Sequence, residues 1–295
     1  MPLASLYTSR VTVLETIQRS ADFLARKGVE SPRLQAELLL AHVLKLPRMK
    51  LYLDFARTLA PDEVETLREL VKRRGQREPL QHIVGSTSFC GFEIAVNRHV
   101  LVPRPETEIL AELGWQYLST LNAQPVTCLD FGTGSGCLAV ALAAKCPHTR
   151  VTALDISAEA LAIARQNLAR HGLLERVQVL HGDGLAALPA SARFDLIISN
   201  PPYIPTAEIE TLQPEVRDFD PRAALDGGPD GLDCVRQLAA EAGDFLAPHG
   251  KLMLEFGDGQ AEAACEIFTG QGWTVEAVRE DDCQRPRFLI ASLRR

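Results

Sequence analysis

From residue 126 onward, short apolar runs alternate with amphipathic helical stretches, and this pattern limits the available folds more than anything else in the chain. The order is VTCLDF, GTGSG, CLAVALAAKC, then RVTALD, ISAEALAIARQNLARHG, VQVLHGD and FDLIIS. Strands that alternate with helices pair in parallel, because a crossover must carry the chain back to the same end of the sheet, and the helices then cover both faces. A long loop and a helix around GLDCVRQLAAEAGDFL lead to GKLMLEFG, a helix near GQAEAACEIFTGQG, and the runs TVEAV and RFLIASLRR. The last two runs are joined by a short link, which predicts an antiparallel final pair.

The first eighty or so residues lack this alternation and read as helices. VTVLETIQRSADFLARKGV sets Val13, Ile17, Phe23 and Leu24 on one apolar face and stops at Gly28. SPRLQAELLLAHVLKL opens with Ser31 as N-cap and Pro32 at the first helical position. APDEVETLRELVKRRGQ has Pro61 at its entry, acids in its first turn, bases in its last and Gly75 beyond. The expected division is a helical domain over 1–83, a hairpin linker over 84–103 and an α/β domain over 104–295. In the hairpin Phe89, Phe92, Ile94, Val96, Val100 and Val102 alternate with polar residues. PRPETE (103–108) reads as an extended lead into the helix EILAELGWQYLSTL.

Composition excludes several classes. No apolar run approaches the roughly 18–20 residues of a membrane span. The opening segment has neither the basic head nor the apolar centre of a signal peptide, so the cytoplasm is expected. Seven cysteines without a CxxC pair argue against a disulfide framework or a zinc ribbon and read mostly as core filler, and the seven histidines show no i, i+4 pairing, so no metal site is expected. The net charge of −7 is unevenly spread: residues 1–100 hold 15 Lys+Arg against 11 Asp+Glu, and the remainder 16 against 27. An acidic catalytic half repels a phosphate backbone, which argues against DNA as substrate.

LDFGTGSG places Gly132, Thr133, Gly134, Ser135 and Gly136 between a strand and a helix, where glycine lets the backbone approach a ligand and the helix offers free N–H groups. Asp155 ends the next strand, 21 residues beyond Gly134, the spacing at which an acid reaches ribose hydroxyls. Asp130 just before the turn suits a cofactor with a cationic amino-acid tail better than a pyrophosphate, which favours S-adenosyl-L-methionine over NAD. Asp183, or the backbone of Gly184, ends the third strand where it could meet an adenine edge.

SNPPYIP closes the fourth strand. Asn200, Pro201, Pro202 and Tyr203 border the same crevice, and their chemistry suits methyl transfer to an amide or amine nitrogen. The Asn200 side-chain oxygen and the Pro201 carbonyl can accept the two hydrogens of a planar NH2 group and orient its nitrogen. The prolines fix the backbone, and Tyr203 can stack on a flat group.

With these residues in place, the chain resembles the peptide-chain-release-factor glutamine N5-methyltransferases (the HemK/PrmC family) over nearly its whole length. The matching segments are PLQHIVG, FCGFEIAVNRHVLVPRPETE, CLDFGTGSGCLAVALA, VTALDIS, SNPPYIP, PEVRDFDPRAALDGGPDGLD and LMLEFG. The resemblance implies a five-helix N-terminal domain that engages the release factor. It also implies a hairpin linker and a Rossmann-like class I S-adenosylmethionine-dependent methyltransferase domain, with a seven-stranded sheet whose last strand is antiparallel. The implied substrate is the glutamine of the Gly-Gly-Gln motif in class 1 peptide chain release factors, with S-adenosyl-L-homocysteine as by-product; a monomer is expected. Carried over from the family, Gly132 through Gly136, Asp155, Gly184 and Asn200 hold the cofactor, and Asn200 through Tyr203 hold the glutamine. Where the family often has an aromatic after the third-strand acid, this chain has Gly184. A ribosomal-protein glutamine or a nucleic-acid adenine are the alternative substrates; sister enzymes of the former kind usually carry PRSP where this chain has Pro103-Arg104-Pro105-Glu106.

Overall fold

The computed structural model describes residues 11–122 and 125–294. The head of the opening segment, in which no leader is expected, lies outside them. Two compact units emerge: Met1–Gly85 with Gln213–Phe219, and Ser86–Leu212 with Asp220–Arg295.

The helical unit contains α1 (Val13–Arg26), α2 (Pro32–Leu44), α3 (Arg48–Leu51), α4 (Pro61–Gly75) and α5 (Leu80–Val84). Helix α1 starts with a reciprocal cap: Thr12 Oγ1 accepts the Glu15 N–H, and the Glu15 carboxylate accepts the Thr12 N–H. Its apolar face buries Val13, Ile17 and Leu24 against Leu39 and Leu40 of α2 and Leu67 and Val71 of α4. Two sequence expectations change in detail. Ser31 stands at the α2 N-cap in the left-handed region, φ 45°, so its hydroxyl makes no capping bond and Pro32 alone marks the start. Gly75 is the last residue of α4 and not a stop beyond it; a Cβ there would sit 2.5 Å from Phe23 Cε1, so glycine is needed for the close approach of α1.

The α/β unit opens with a hairpin, β1 (Ser86–Phe89) and β2 (Phe92–Ala95), paired antiparallel across Cys90 and Gly91. Both turn residues have positive φ, the geometry that matches strand twist in a two-residue loop. The ladder stops at Ala95, short of the expected alternation through Val102, because α5 (Leu80–Val84) runs up to Gly85 and leaves β1 no residue before Ser86; the N–H and C=O of Ala95 bond the Asn167 side chain. Helix α6 (Pro105–Thr120) begins at Pro105, so most of PRPETE is the first helical turn and not an extended lead; proline has no N–H to lose there.

The chain then runs β3 (Val126–Phe131), α7 (Cys137–Lys145), β4 (Thr149–Asp155), α8 (Ala158–Arg170), β5 (Val177–His181) and β6 (Phe194–Ser199). After Leu212 it gives α9 (Pro214–Arg217) to the helical unit, returns at Asp220, and continues with α10 (Asp233–Glu241), β7 (Leu246–Glu255), α11 (Ala261–Gly270), β8 (Trp273–Glu280) and β9 (Pro286–Leu293). The seven-stranded sheet has the order β5-β4-β3-β6-β7-β9-β8. The first five strands are parallel, and β9 is antiparallel to both of its neighbours, as the short final link requires. Alternation along each central strand divides the core: Cys128, Leu196, Ile198 and Met253 pack on one face, and Leu129, Ile197, Leu252 and Leu254 on the other. Of the seven free cysteines only Cys128 and Cys146 are fully buried, and Cys283 is exposed, so the filler reading holds for part of the set.

Glu215 of α9 ties the returning segment into the helical unit. Its carboxylate accepts from Arg74 at 2.8 Å and from both Arg77 Nε and Nη2, at 2.7 and 2.5 Å. Burial alone would raise its pKa, but the hydrogen bonds from Arg77 and Arg74 outweigh burial and hold it below 4.5. The contribution is therefore present above about pH 4.5 and fades as pH falls through the lower folded value. Replacing Glu215 by Ala strands the buried Arg74 guanidinium, and a loss of about 2–4 kcal/mol is expected from the urea midpoint at neutral pH.

Candidate active site

Sheet register brings the candidate residues together. In the paired ladders Phe131 stands opposite Leu154 of β4 and Ser199 of β6, and Ser199 stands opposite Leu254 of β7. The next residue on each strand is Asp155, Gly132, Asn200 and Glu255, so these four occupy one row along the C-terminal edge of β4-β3-β6-β7. The chain winds outward in opposite directions from β3 and β6, the crevice where open α/β sheets take ligands.

Gly132, Gly134 and Gly136 all have positive φ. A Cβ at Gly132 or Gly134 would meet nothing within 4 Å, so the turn presents bare backbone to open space, whereas at Gly136 it would press on Ala164 of α8 at 3.1 Å. The turn is thus a cradle on one side and a close packing contact on the other. Thr133 and Ser135 are buried and serve the turn itself. Thr133 Oγ1 donates to Asp130 Oδ2 at 2.5 Å, and the Ala139 N–H donates to the same oxygen at 3.1 Å. Asp130 is 0% exposed: its Oδ2 braces the turn and the first turn of α7, and its Oδ1 has no hydrogen-bond partner among the described residues. Burial pushes its pKa up to about 7 against those two hydrogen bonds, with Asp155 raising it further.

Asp155 is half-buried and bridges two backbone donors, Gly134 N–H at 2.8 Å and Ser157 N–H at 2.9 Å. Asp183 is exposed beyond β5. Gly184 has φ 68° and ψ −172°, and a Cβ there would lie 2.6 Å from Gln237 Nε2, so the aromatic that the family often carries nearby has no place at this residue. Ile156, unmarked in the sequence reading, is 57% exposed directly after Asp155 and offers a flat base an apolar surface that Gly184 lacks.

Asn200 Nδ2 donates to Thr107 Oγ1 at 2.9 Å, and Thr107 Oγ1 donates to Glu255 Oε2 at 2.8 Å. Tyr203 Oη reaches Glu255 Oε1 at 3.3 Å. Among the described residues none donates to Asn200 Oδ1 or to the Pro201 carbonyl. Burial pushes Glu255 up to about 7 despite the Thr107 bond, the nearby Arg287 and the Tyr203 hydroxyl, and burial together with the Glu255 charge pushes the Tyr203 phenol up as well. Thr107 and Glu255 escape a sequence reading because each is an ordinary residue on its own element; the only signal was their place inside PRPETE and LMLEFG.

The DPRAALDGGPDGLD segment packs on the prolines through backbone. The N–H groups of Ile204, Thr206 and Gly227 bond to the carbonyls of Leu225, Gly228 and Ile204. A Cβ on Gly231 would lie 2.2 Å from the Tyr203 carbonyl oxygen, and one on Gly227 2.7 Å from that of Pro202. Gln260 Nε2 then donates to the Tyr203 carbonyl at 2.9 Å. These carbonyls are packed or engaged, and that of Pro201 receives no donor among the described residues.

Bare backbone at Gly132 and Gly134, a helix N-terminus behind it, and the acids Asp130, Asp155 and Glu255 around it fit a ligand with a cationic centre and suit a pyrophosphate poorly.

The chain matches the family model for the PrmC N-terminal domain over residues 15–85 and the one for the methyltransferase small domain over 115–213. It is 46% identical to the release factor glutamine methyltransferase of Geobacter sulfurreducens, over 89% of this chain and 90% of that one. Identity to the release factor glutamine methyltransferase of Chlorobaculum tepidum is 44%, over 85% and 87%. A methyltransferase structure from Pyrococcus furiosus, 21% identical, superposes with a TM-score of 0.51 over 75% of this chain and 97% of its own, a likeness of fold.

Asn167, fully buried in α8, donates to the Ser135 carbonyl at 2.8 Å while holding Ala95, and so links the glycine turn to the hairpin. Asn167→Leu leaves these buried backbone groups unpaired. A stability loss of about 2–4 kcal/mol and a cofactor Kd weakened by roughly ten-fold are expected from thermal unfolding and calorimetry.

Proposed function

The chain belongs to the release factor glutamine methyltransferases, and from that premise we propose how its α/β unit carries out the reaction. The enzyme transfers a methyl group from S-adenosyl-L-methionine to the side-chain amide nitrogen of a glutamine in peptide chain release factors. The cofactor, when bound, supplies a methyl group made electrophilic by its sulfonium. Gly132 through Gly136 hold it by the close approach that their backbone allows, Asp155 takes the ribose hydroxyls, Ile156 covers one adenine face, and Asp183 and the Gly184 backbone lie at the adenine edge. Asn200 joins this shell at the reacting end.

The reading of the substrate side rests on one observation: Asn200 turns its NH2 group to Thr107 and leaves Oδ1 without a donor, in the same row as the glycine turn. A carboxamide nitrogen is a poor nucleophile because its lone pair is delocalised into the carbonyl. Asn200 Oδ1 and the Pro201 carbonyl accept its two hydrogens, set the nitrogen towards the crevice, and favour the positive charge it gains as the new N–C bond forms. Once methylated, the nitrogen is strongly acidic and loses its proton to water, so no strong base is required. Pro202 stiffens the frame, and Tyr203, its hydroxyl tied to Glu255, closes over the flat amide. The glutamine is that of the Gly-Gly-Gln motif of class 1 release factors. The helical unit, within residues 1–100 where Lys+Arg outnumber Asp+Glu by 15 to 11, docks the rest of the factor. The reaction takes place in the cytoplasm; among the described residues no helix is long and apolar enough to cross a membrane.

Labelled cofactor offered with release factor, ribosomal protein or DNA separates the substrates, and mass spectrometry of the Gly-Gly-Gln peptide locates the methyl group. Label in ribosomal protein or DNA, with none in the release factor, overturns the substrate assignment. Asn200→Ala is expected to lower kcat by about 10²–10³ while cofactor affinity stays within a few fold. Asp155→Ala is expected to weaken cofactor binding instead, by roughly ten-fold or more, and calorimetry on the two variants separates the roles.

A further inference from the structure

An asparagine side chain presents an oxygen or an NH2 group depending on which way round it sits, and the two orientations occupy nearly the same space. Only the oxygen can receive an N–H of the substrate amide; the reversed group sets donor against donor. Something must choose between them, and the structure contains a chain of groups able to do so. Thr107 Oγ1 lies between Asn200 Nδ2 and Glu255 Oε2, at 2.9 and 2.8 Å, with Thr107 3% and Glu255 1% exposed. An ionised carboxylate accepts only. The single hydroxyl proton of Thr107 therefore points at Glu255, and towards Asn200 Thr107 can only accept. That fixes the Asn200 NH2 group on the Thr107 side and its oxygen on the other.

We propose that Thr107 and Glu255 are positioning residues that hold the Asn200 carboxamide with its oxygen towards the substrate amide. This rests on the substrate-orienting role given to Asn200 above. Neither residue touches the reacting atoms. They act through Asn200, and Tyr203 on the second Glu255 oxygen keeps that carboxylate from rotating away. The first turn of α6 is thereby part of the site: it delivers Thr107 to the strand ends, and Pro105 sets where that turn begins.

A second consequence is a pH dependence with a defined sign. With a proton on Glu255 the carboxyl becomes a donor, Thr107 can turn its own proton to Asn200, and the reversed amide is accommodated. The groups facing Glu255 are Thr107 and Glu106 from α6, Tyr203 from the loop after β6, and Arg287 from β9. Arg287 and the two hydroxyl bonds favour the charged form, while burial and Glu106 oppose it. The rate is expected to fall on the acid side, as pH drops through about 7.

The test uses full-length enzyme, purified release factor and S-adenosyl-L-methionine, with Thr107→Val, Thr107→Ser, Glu255→Gln, Asn200→Ala and the Thr107→Val/Asn200→Ala double variant. Thr107→Val keeps size and loses the hydroxyl. It should lower kcat by about ten-fold, with KM for the release factor and cofactor Kd within about two-fold, and Thr107→Ser should restore kcat to within about two-fold. In Glu255→Gln the acidic limb should disappear, leaving a low rate that is flat between about pH 6 and 8. In the double variant Thr107→Val should add no loss to that of Asn200→Ala, since nothing remains to be positioned. Wild-type kcat in Thr107→Val, independent multiplying losses in the double variant, or an unchanged acid limb in Glu255→Gln overturns the inference. If Thr107→Val does not fold, the Ser variant and the Glu255→Gln profile decide it: a Ser variant well below wild type, or a retained limb, counts against it. Full activity in Asn200→Ala would overturn the underlying role of Asn200, whereas a slow Asn200→Ala beside a fast Thr107→Val overturns only the positioning.

Discussion

Parallel pairing of β4, β3, β6 and β7 in a single register is the constraint from which the site follows. Because side chains alternate with a period of two and both faces are packed, a one-residue slip of any of these strands would exchange the side chains that the two layers receive, so packing on both faces fixes the register. The same register fixes which residue stands first beyond each strand end. Asp155, Gly132, Asn200 and Glu255 are neighbours because the Cys128–Phe131, Val151–Leu154, Leu196–Ser199 and Lys251–Leu254 stretches are paired in step. Core packing and functional geometry are one requirement here.

Two acids at this edge of the sheet lie in a poorly solvated place. Asp130 and Glu255 are both essentially inaccessible, and burial pushes each up to about 7. Keeping either ionised costs roughly 3–4 kcal/mol relative to water, a cost that grows as pH rises from the ordinary carboxylate range towards 7. The fold offsets part of it with hydrogen bonds: Thr133 and Ala139 serve Asp130, and Thr107 and Tyr203 serve Glu255. The acids differ in what they brace. Asp130 holds the cofactor-side turn, Glu255 holds the substrate-side loop, and Asn200 at the end of β6 stands between them. A cationic methyl donor is the kind of ligand that relieves such a concentration of negative charge.

Much of this was legible before any coordinates. The α/β alternation, the glycine turn, the 21-residue spacing to Asp155 and the double proline after β6 are local patterns, and each constrains the backbone where it occurs. Element limits were read less well where a side chain from far along the chain intervenes. Gly75 closes α4 as a glycine because Phe23 of α1 lies against it. At Asp130 a sequence shows that an acid precedes the turn and not which way its carboxylate points.

What the sequence determined by itself was the set of strands, the turn chemistry and the residue types able to orient an amide, all of which depend on neighbours a few positions apart. Tertiary structure alone decided that Thr107, Asn200 and Glu255 form one hydrogen-bonded chain across 148 residues, and that Glu215 returns the chain to Arg74 and Arg77 of the helical unit. The physical reason is that a hydroxyl, an amide and a carboxylate acquire direction only from the groups they face. Those partners are set by strand order and packing, which no local pattern encodes.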